Sequence, residues 1–315
     1  MVQFAPMSFL RRIVAAAAVT GGAVWSCVAF ADSVAFKPSD AREAFVAASE
    51  FVRDCTPRDA GTIRGRLAAN WLMDRASRTG VDAAVDAFRA ETPDGMRAFA
   101  NVVVEFKGTK EEAPWIVLLS HFDTPPNIGE GFQGANDGAS TSALLVALAG
   151  AIRRAGPKPD NIALIWTDAE ECRITYSEND GLQGARHAVQ TFKEKRRTVK
   201  AAIGLDMLGD RDLHIRMPAN GTIPLQNAVF EAAKRAGLEG LVSLGRDTVK
   251  DDFAVFFDAG FPAVNLIDFD YGSAPGRNDY WHTVYDTIDK ISEDSLLKAG
   301  MLVAELLNML EGNGK

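Results

Sequence analysis

The chain has 315 residues, of which 47% are hydrophobic and 24% are charged, and its formal net charge at pH 7 is −8. This is the composition of an ordinary globular protein that is long enough to bury a large core, which excludes the disordered and fibrous classes. The acidic balance, without a dense stripe of lysine and arginine, also argues against nucleic acid as a partner.

The N-terminal segment, residues 1–31, has the layout of a secretory signal peptide rather than of a folded element. Arg11-Arg12 precedes an apolar, alanine-rich run that ends in Ala29-Phe30-Ala31, an A-x-A cleavage pattern. Cleavage would export residues 32–315 to the periplasm or the medium, with no stable membrane insertion. Two alternatives stay open, because the run is long enough for an uncleaved membrane anchor and Cys27 offers a site for lipidation.

Export bears on the two cysteines of the mature chain, Cys55 and Cys172. Two cysteines in an oxidising compartment suggest one disulfide bond, and we expect it here. Two buried free thiols are the alternative, because the sequence does not give the distance between the two residues.

Apolar spacing predicts two N-terminal helices, followed by strands that alternate with helices. The predicted helices are 41–52, 63–79, 139–154, 184–195, 225–236 and 292–310, and the predicted strands are 98–106, 115–120, 162–167, 201–206 and 263–267. This alternation indicates a three-layer α/β/α fold around a mixed, mostly parallel sheet. No repeat or linker divides the mature chain, so residues 32–315 are predicted to form a single catalytic domain.

Potential metal ligands follow the predicted strands, at the sheet edge where α/β proteins bind their ligands. They are, in chain order, His121, Asp137, Glu171, Asp206 and His282. Asp137 alone would be interpreted as a turn residue and Asp206 alone as a strand cap. Chance does not readily place all five at strand ends, so the set predicts an oxygen and nitrogen site suited to Zn²⁺.

The adjacent carboxylates Glu170 and Glu171 predict a division of roles. Neighbouring side chains of an extended backbone point in different directions, so one carboxylate can bind metal while the other faces the substrate as a general acid and base. Asp123, two residues after His121, is expected to orient that imidazole through a hydrogen bond.

At these residues the chain resembles peptidase family M28, the zinc aminopeptidase superfamily, and in particular its glutaminyl-peptide cyclotransferase (glutaminyl cyclase) branch. The resemblance runs from about residue 57 to the end of the chain. The motifs that carry it are His121-Phe122-Asp123, Gly134-Ala135-Asn136-Asp137-Gly138, Glu170-Glu171, Asp206 and His282-Thr283.

Three features favour the cyclase branch over the aminopeptidases. A long insertion with the core Ser177–Gly184 follows the glutamate pair, Trp281 directly precedes His282, and Asp251-Asp252 leads into an apolar segment.

The chain also departs from the cyclase pattern. Ala169 stands where the cyclases have glycine, Tyr176 matches a pocket tryptophan, and Asn265 matches a histidine on a late strand. These changes bear on the substrate pocket rather than on the fold or the metal.

The resemblance implies that Zn²⁺ polarises the side-chain amide of an N-terminal glutamine, which cyclises to pyroglutamate with release of ammonia. Glu170 would carry a proton from the α-amine to the leaving ammonia. The other implied roles are metal binding by Asp137, Glu171 and His282, hydrogen bonding to the reacting groups by Asp206 and Asp251, and pocket walls from Trp281 and Tyr176. The implied partners are the N-termini of peptides or proteins.

Two other functions stay open. An M28 aminopeptidase would bind a second zinc through His121 and Asp206, with Asp137 bridging, and Glu170 would activate water to cleave the first peptide bond. An exported, non-catalytic binding domain is the third hypothesis. It is disfavoured because a dead enzyme would be expected to have lost a ligand or the acid/base glutamate.

Overall fold

The computed structural model describes residues 33–312, so the predicted signal peptide and its cleavage site lie outside the described residues. Two helices come first in this range, and strands then alternate with helices. The strands are β1 (Ala83–Thr92), β2 (Gly95–Phe106), β3 (Trp115–His121), β4 (Asn161–Thr167), β5 (Val199–Asp206), β6 (Ile215–Met217), β7 (Val242–Leu244) and β8 (Ala263–Ile267). The helices are α1 (Pro38–Cys55), α2 (Ile63–Arg78), α3 (Thr141–Arg154), α4 (Gln183–Glu194), α5 (Ile223–Arg235), α6 (Asp252–Asp258) and α7 (Glu293–Gly312). Within this range no helix combines the length and the apolar character needed to cross a membrane.

Six strands form the central sheet, in the order β1-β2-β4-β3-β5-β8. The neighbours β3/β4, β3/β5 and β5/β8 are parallel, whereas β1/β2 and β2/β4 are antiparallel. The predicted α/β fold with a mixed, mostly parallel sheet is therefore confirmed. The short strands β6 and β7 pair with each other in a separate two-stranded sheet.

Alternation along the buried strands produces the three layers, because successive side chains of a strand point to opposite faces of the sheet. In β3, Ile116 and Leu118 join a cluster with helices α1, α2, α3, α5 and α7, whereas Val117 and Leu119 join a cluster with α4 and α6. Both faces of β3 are thus covered, which explains why this strand has a continuous apolar sequence rather than an alternating one.

A tight turn, Ala135–Ser140, separates β3 from α3, and α3 begins at Thr141 rather than at the predicted residue 139. Gly134 and Gly138 have positive φ angles of 55° and 92°. A Cβ on Gly134 would lie 2.8 Å from the backbone oxygen of Asp137. The glycines therefore allow this turn to hold Asp137 close to the end of β3.

The predicted disulfide is wrong, because both cysteines are free thiols in the structure. Cys55 ends α1 and is buried in the large apolar cluster on one face of the sheet. Burial raises the pKa of the Cys55 thiol to about 11. Cys172 lies half-buried in the loop after β4. A count of cysteines predicted the pair, but a count contains no information on where the two chain segments lie.

Candidate active site

The five potential ligands predicted at strand ends lie together in the structure. The possible ligand atoms of Asp137, Glu171 and His282 all lie within 4.8 Å of one another. The same is true of His121, Asp137 and Asp206. The two groups share Asp137, which lies in the turn between β3 and α3.

The first group surrounds the ring nitrogen Nε2 of His282. This atom lies 3.0 Å from Oε1 of Glu171 and 3.3 Å from Oδ2 of Asp137. Glu171 follows β4, whereas His282 lies beyond β8, in a left-handed conformation with φ of 53°. The two carboxylates are buried and the imidazole is partly exposed, so the open side of the group faces the pocket.

The second group lies on the other side of Asp137. Nε2 of His121 is 3.1 Å from Oδ1 of Asp137 and 3.2 Å from Oδ1 of Asp206. The two oxygens of Asp137 therefore face the two histidines separately.

The donor atoms of both groups fit a divalent cation such as Zn²⁺, which takes imidazole nitrogen and carboxylate oxygen ligands. Oδ2 of Asp137 is buried and lies against the ring nitrogen of His282 at 3.3 Å, without a well-formed hydrogen bond. Burial and the charge of Asp137 raise the pKa of Glu171 to about 8. Several buried carboxylates thus converge on one small space, and a divalent cation held between them would offset their mutual repulsion.

Ligand atoms of His121, Glu170 and Glu171 also lie within 4.8 Å of one another, but Glu170 has a partner that Glu171 does not contact. The hydroxyl of Tyr176 lies 3.2 Å and 3.4 Å from the two carboxylate oxygens of Glu170 and donates to them. Burial, together with the charge of Glu171, raises the pKa of Glu170 well above its ordinary value. A carboxyl group with a raised pKa, held at a pocket wall, is suited to proton transfer near neutral pH.

Asp123 makes contacts other than the expected one. Its Oδ1 is 3.8 Å from Nδ1 of His121, which is too long for a hydrogen bond. Its two oxygens instead accept the backbone N–H groups of Glu170 and Glu171, each at 3.1 Å. Asp123 thus fixes the backbone of the glutamate pair rather than the imidazole.

Ala169 precedes the pair with a positive φ of 58°, a conformation that favours glycine. Left-handed backbone costs about 1–2 kcal/mol for an L-residue. Glycine adds about 0.4–1 kcal/mol of unfolded-state entropy. We therefore expect Ala169→Gly to leave the free energy of unfolding unchanged or to raise it by up to about 1.6 kcal/mol. Ala228→Gly, inside α5, is the control and should lower it by about 1 kcal/mol. Denaturant titration measures the free energy of unfolding of both variants. An equal decrease in the two would contradict the idea that the left-handed backbone at Ala169 is strained.

Asp286, a carboxylate that the sequence analysis missed, fixes the backbone of the turn at residues 135–140, called the metal turn below because it contains the candidate ligand Asp137. Asp286 accepts the backbone N–H groups of Asn136 at 2.8 Å and Asp137 at 3.2 Å, and the hydroxyl of Tyr271 at 2.6 Å. Asp286 lies only four residues after His282, but it acts on backbone groups about 150 residues earlier in the chain. No local sequence pattern marks such a contact.

Arg58 is the second missed residue, and it is fully buried. Its guanidinium donates to the backbone oxygens of Phe122, Gln133, Gly134 and Asp137. Burial lowers the pKa of Arg58, while the nearby charges of Asp286 and Asp137 raise it. In the sequence Arg58 is a single arginine in a turn-rich loop, and nothing there indicates that it is buried.

A cavity of about 230 Å³ opens onto both groups. Trp281 forms part of its wall and stacks on the His282 ring with 4.0 Å between ring centroids. Asp251 also lines it, and accepts the side-chain amide of Asn265 and the N–H of Asp252 at the start of α6. The residues around the cavity are Asp137, Glu170, Glu171, Tyr176, Asp206, Thr248, Val249, Lys250, Asp251, Ile267, Phe269, Trp281 and His282.

The fold and this cluster of carboxylates and histidines define a metal-dependent α/β enzyme with a site at the carboxyl edge of its sheet. The sequence model of peptidase family M28 matches residues 101–307, and the chain belongs to that family. Within the family it belongs to the glutaminyl cyclase branch.

Three similar proteins illustrate the relationship. Glutaminyl-peptide cyclotransferase from Gloydius blomhoffii is 27% identical over 284 residues, which cover 77% of this chain and 72% of that protein. The crystal structure of an Acidobacteriales bacterium glutaminyl cyclase is 32% identical, with a TM-score of 0.80, over 87% of this chain and 96% of that one. A leucine aminopeptidase precursor from Bacteroides thetaiotaomicron shares the fold, with 24% identity and a TM-score of 0.74 over 87% of this chain and 99% of that one.

Proposed function

We propose that the enzyme is a zinc-dependent glutaminyl cyclase, which converts the N-terminal glutamine of peptides to pyroglutamate and releases ammonia. The observation that carries the proposal is the position of Tyr176. It lies in the long insertion that distinguishes the cyclase branch, and its hydroxyl contacts Glu170 inside the catalytic cavity.

The insertion folds around one carboxylate. Asp180 accepts the backbone N–H groups of residues 173, 174 and 175 at 2.6, 2.8 and 3.0 Å. Gly181 then lets the ring of Tyr176 approach, because a Cβ there would lie 2.5 Å from that ring. The insertion therefore forms a defined wall of the cavity, as a pocket for one terminal residue requires.

Asp137, Glu171 and His282 would hold the zinc ion. When bound, zinc supplies Lewis-acid polarisation of the substrate's side-chain amide carbonyl. Asp137 and Glu171 are both buried and so hold fixed positions at the base of the cavity. Trp281 keeps the His282 ring in place through the stack between their rings.

Glu170 would transfer the proton. The substrate's α-amine attacks the amide carbon, and a C–N bond forms while the bond to the leaving nitrogen breaks. Glu170 takes the proton from the amine and delivers it to that nitrogen, which departs as ammonia. Asp206 and Asp251 line the same cavity and would accept hydrogen bonds from the amine and the leaving group.

The test is direct. We expect wild-type protein loaded with zinc to release ammonia from a peptide with N-terminal glutamine. Mass spectrometry should find a product that has lost ammonia but keeps all the residues of the peptide. A peptide with N-terminal asparagine is the control substrate and should remain intact. Release of the free first amino acid, without ammonia, would reject cyclisation in favour of hydrolysis.

The second group of ligands gives a specific reason to keep the aminopeptidase as the alternative. His121, Asp137 and Asp206 would hold a second zinc ion, with Asp137 bridging the two. The cyclase hypothesis predicts about one zinc ion per chain, and the aminopeptidase hypothesis predicts about two. Metal analysis after dialysis distinguishes them, and His121→Ala is the matched variant. It should leave a one-zinc protein's metal content unchanged and remove one ion from a two-zinc protein.

We also propose that the chain is exported and that its substrates are the N-termini of peptides or proteins outside the cytoplasm. The supporting pattern is Arg11-Arg12, the apolar run and the cleavage motif at residues 29–31. The mature enzyme should begin at Asp32 and form the single catalytic domain 32–315. N-terminal sequencing of the native protein checks this, and a chain that still carries Met1 on a membrane would contradict it.

A further inference from the structure

A groove of about 610 Å³ lies next to the catalytic cavity, over helices α4 and α6. Tyr176 and Lys250 line both the groove and the cavity, so the two spaces adjoin at these residues. Buried apolar side chains from both helices, Val189 and Ala254, lie in its floor. Because α4 and α6 also pack in one apolar cluster under the sheet, this floor is a fixed surface.

The rim of the groove carries cations that lack carboxylate partners. Lys193 and Lys250 are exposed, and Arg186 is partly exposed. Among residues 33–312 none of the three forms an ion pair, and the guanidinium of Arg186 donates to the backbone oxygen of Ser177 at 3.1 Å. Two acidic residues, Glu178 and Asp258, share the rim. The rim is thus net positive by one charge, in a chain whose formal net charge is −8.

We propose that this groove binds the residues that follow the N-terminal residue of the substrate, and that it favours peptides with acidic side chains at the third and fourth positions. The inference rests on the proposed function, because it places the substrate's first residue in the cavity beside Glu170. The occupant is then the rest of the same peptide.

The geometry of the exit supports this assignment. The catalytic cavity, at about 230 Å³, has room for little more than one residue, so the rest of a longer peptide lies outside it, and the groove of about 610 Å³ adjoins it at Tyr176 and Lys250. At the junction formed by Tyr176 and Lys250 the peptide meets a surface that is apolar below and cationic at the edge. The apolar floor would contact the second side chain, and the lysines would pair with carboxylates farther along.

The experiment measures binding, so that it does not depend on which reaction the enzyme performs. Two labelled peptides, Gln-Ala-Asp-Asp and Gln-Ala-Lys-Lys, are titrated against the zinc-loaded Glu170→Gln variant, and fluorescence anisotropy gives each Kd. We expect the acidic peptide to bind about three- to tenfold more tightly at low salt, the size that a few exposed ion pairs provide. The preference should shrink at high salt, because exposed charges are screened.

Charge reversal identifies the surface. Introducing Lys193→Glu and Lys250→Glu together should abolish or invert the preference. Lys234→Glu, on α5 away from the groove, makes the same kind of charge change and should retain it. Equal Kd values for the two peptides, or an unchanged preference in the Lys193/Lys250 variant, would overturn the inference. Neither outcome affects the proposed function, which stands or falls on ammonia release by the wild-type enzyme.

Discussion

Glu170→Gln should lower turnover by about two to four orders of magnitude and leave the zinc content near normal. The substitution keeps the size of the side chain and its contact with Tyr176, but the amide cannot accept and return a proton, and a positioned acid/base group contributes about 10²–10⁴-fold. Glu171→Gln should instead weaken zinc binding, because a neutral amide is a poor ligand. The two variants carry the same type of substitution, so together they distinguish the proton-transfer role of Glu170 from the metal-binding role of Glu171.

The measurements are kcat on an N-terminal glutamine peptide and zinc per chain for both variants. Tyr176→Phe is a useful control, since it removes the hydroxyl that donates to Glu170 but keeps the carboxylate. Its loss in kcat should be smaller than that of Glu170→Gln. Loss of zinc from Glu170→Gln with retention by Glu171→Gln would reverse the two assignments. Full activity in both variants would reject this site altogether.

Arg58→Met should lower the free energy of unfolding by about 3–5 kcal/mol, the usual loss when one partner of a buried charged network is removed. The backbone oxygens of Phe122 and Asp137 would lose this donor, whereas that of Gly134 keeps the N–H of Ala139 and that of Gln133 keeps the hydroxyl of Thr56. Each buried acceptor left without a partner costs about 1–3 kcal/mol. Asp137 and Asp286 would also lose the cation whose charge acts on them. Arg58→Lys retains the charge but cannot donate to four carbonyl groups. Its free energy of unfolding should therefore lie between those of the wild type and Arg58→Met.

Denaturant unfolding of the metal-free proteins gives these values without the contribution of zinc. Arg64→Met is the matched control, because Arg64 lies in the same part of the chain but is exposed and donates to one backbone oxygen at 3.4 Å. It should change stability by less than about 0.5 kcal/mol. If Arg58→Met were as mild as this control, the metal turn would not depend on the buried guanidinium.

The sequence predicted the sheet, and it predicted that the five candidate ligands lie at one edge of it, because both follow from local patterns. Buried parallel strands such as β3 are continuous apolar runs, and the side chains that follow them are brought to one edge by the topology. The roles of these residues stay predictions, but their proximity is a property of the fold. Strand β1 was missed because its half-exposed sequence contains alanine and charged residues, which are weak strand formers.

Residues that act over long sequence separations could not be found in this way. Arg58 and Asp286 contact backbone groups of the metal turn, and any residue type in that turn offers the same N–H and C=O groups. The sequence therefore contains no matching side chain that would reveal the partner. Asp123 shows a related error, because a spacing of two from His121 suggested an imidazole contact while its oxygens accept backbone N–H groups instead.

The loop folded around Asp180 has a consequence for how this family can diversify. The proposed metal ligands come from the ends of strands and from the turn held by Arg58, whereas the cavity wall comes from a loop whose own hydrogen bonds, to Asp180, maintain its shape. The loop meets the glutamate pair where Tyr176 contacts Glu170, and its far end is tied to the same segment by backbone hydrogen bonds from Leu182 to Glu170 and from Gln183 to Ala169. Mutations that lengthen or reshape the loop can therefore change which peptides are accepted while the metal site keeps its geometry. Substrate range can evolve, or be engineered, separately from the chemistry.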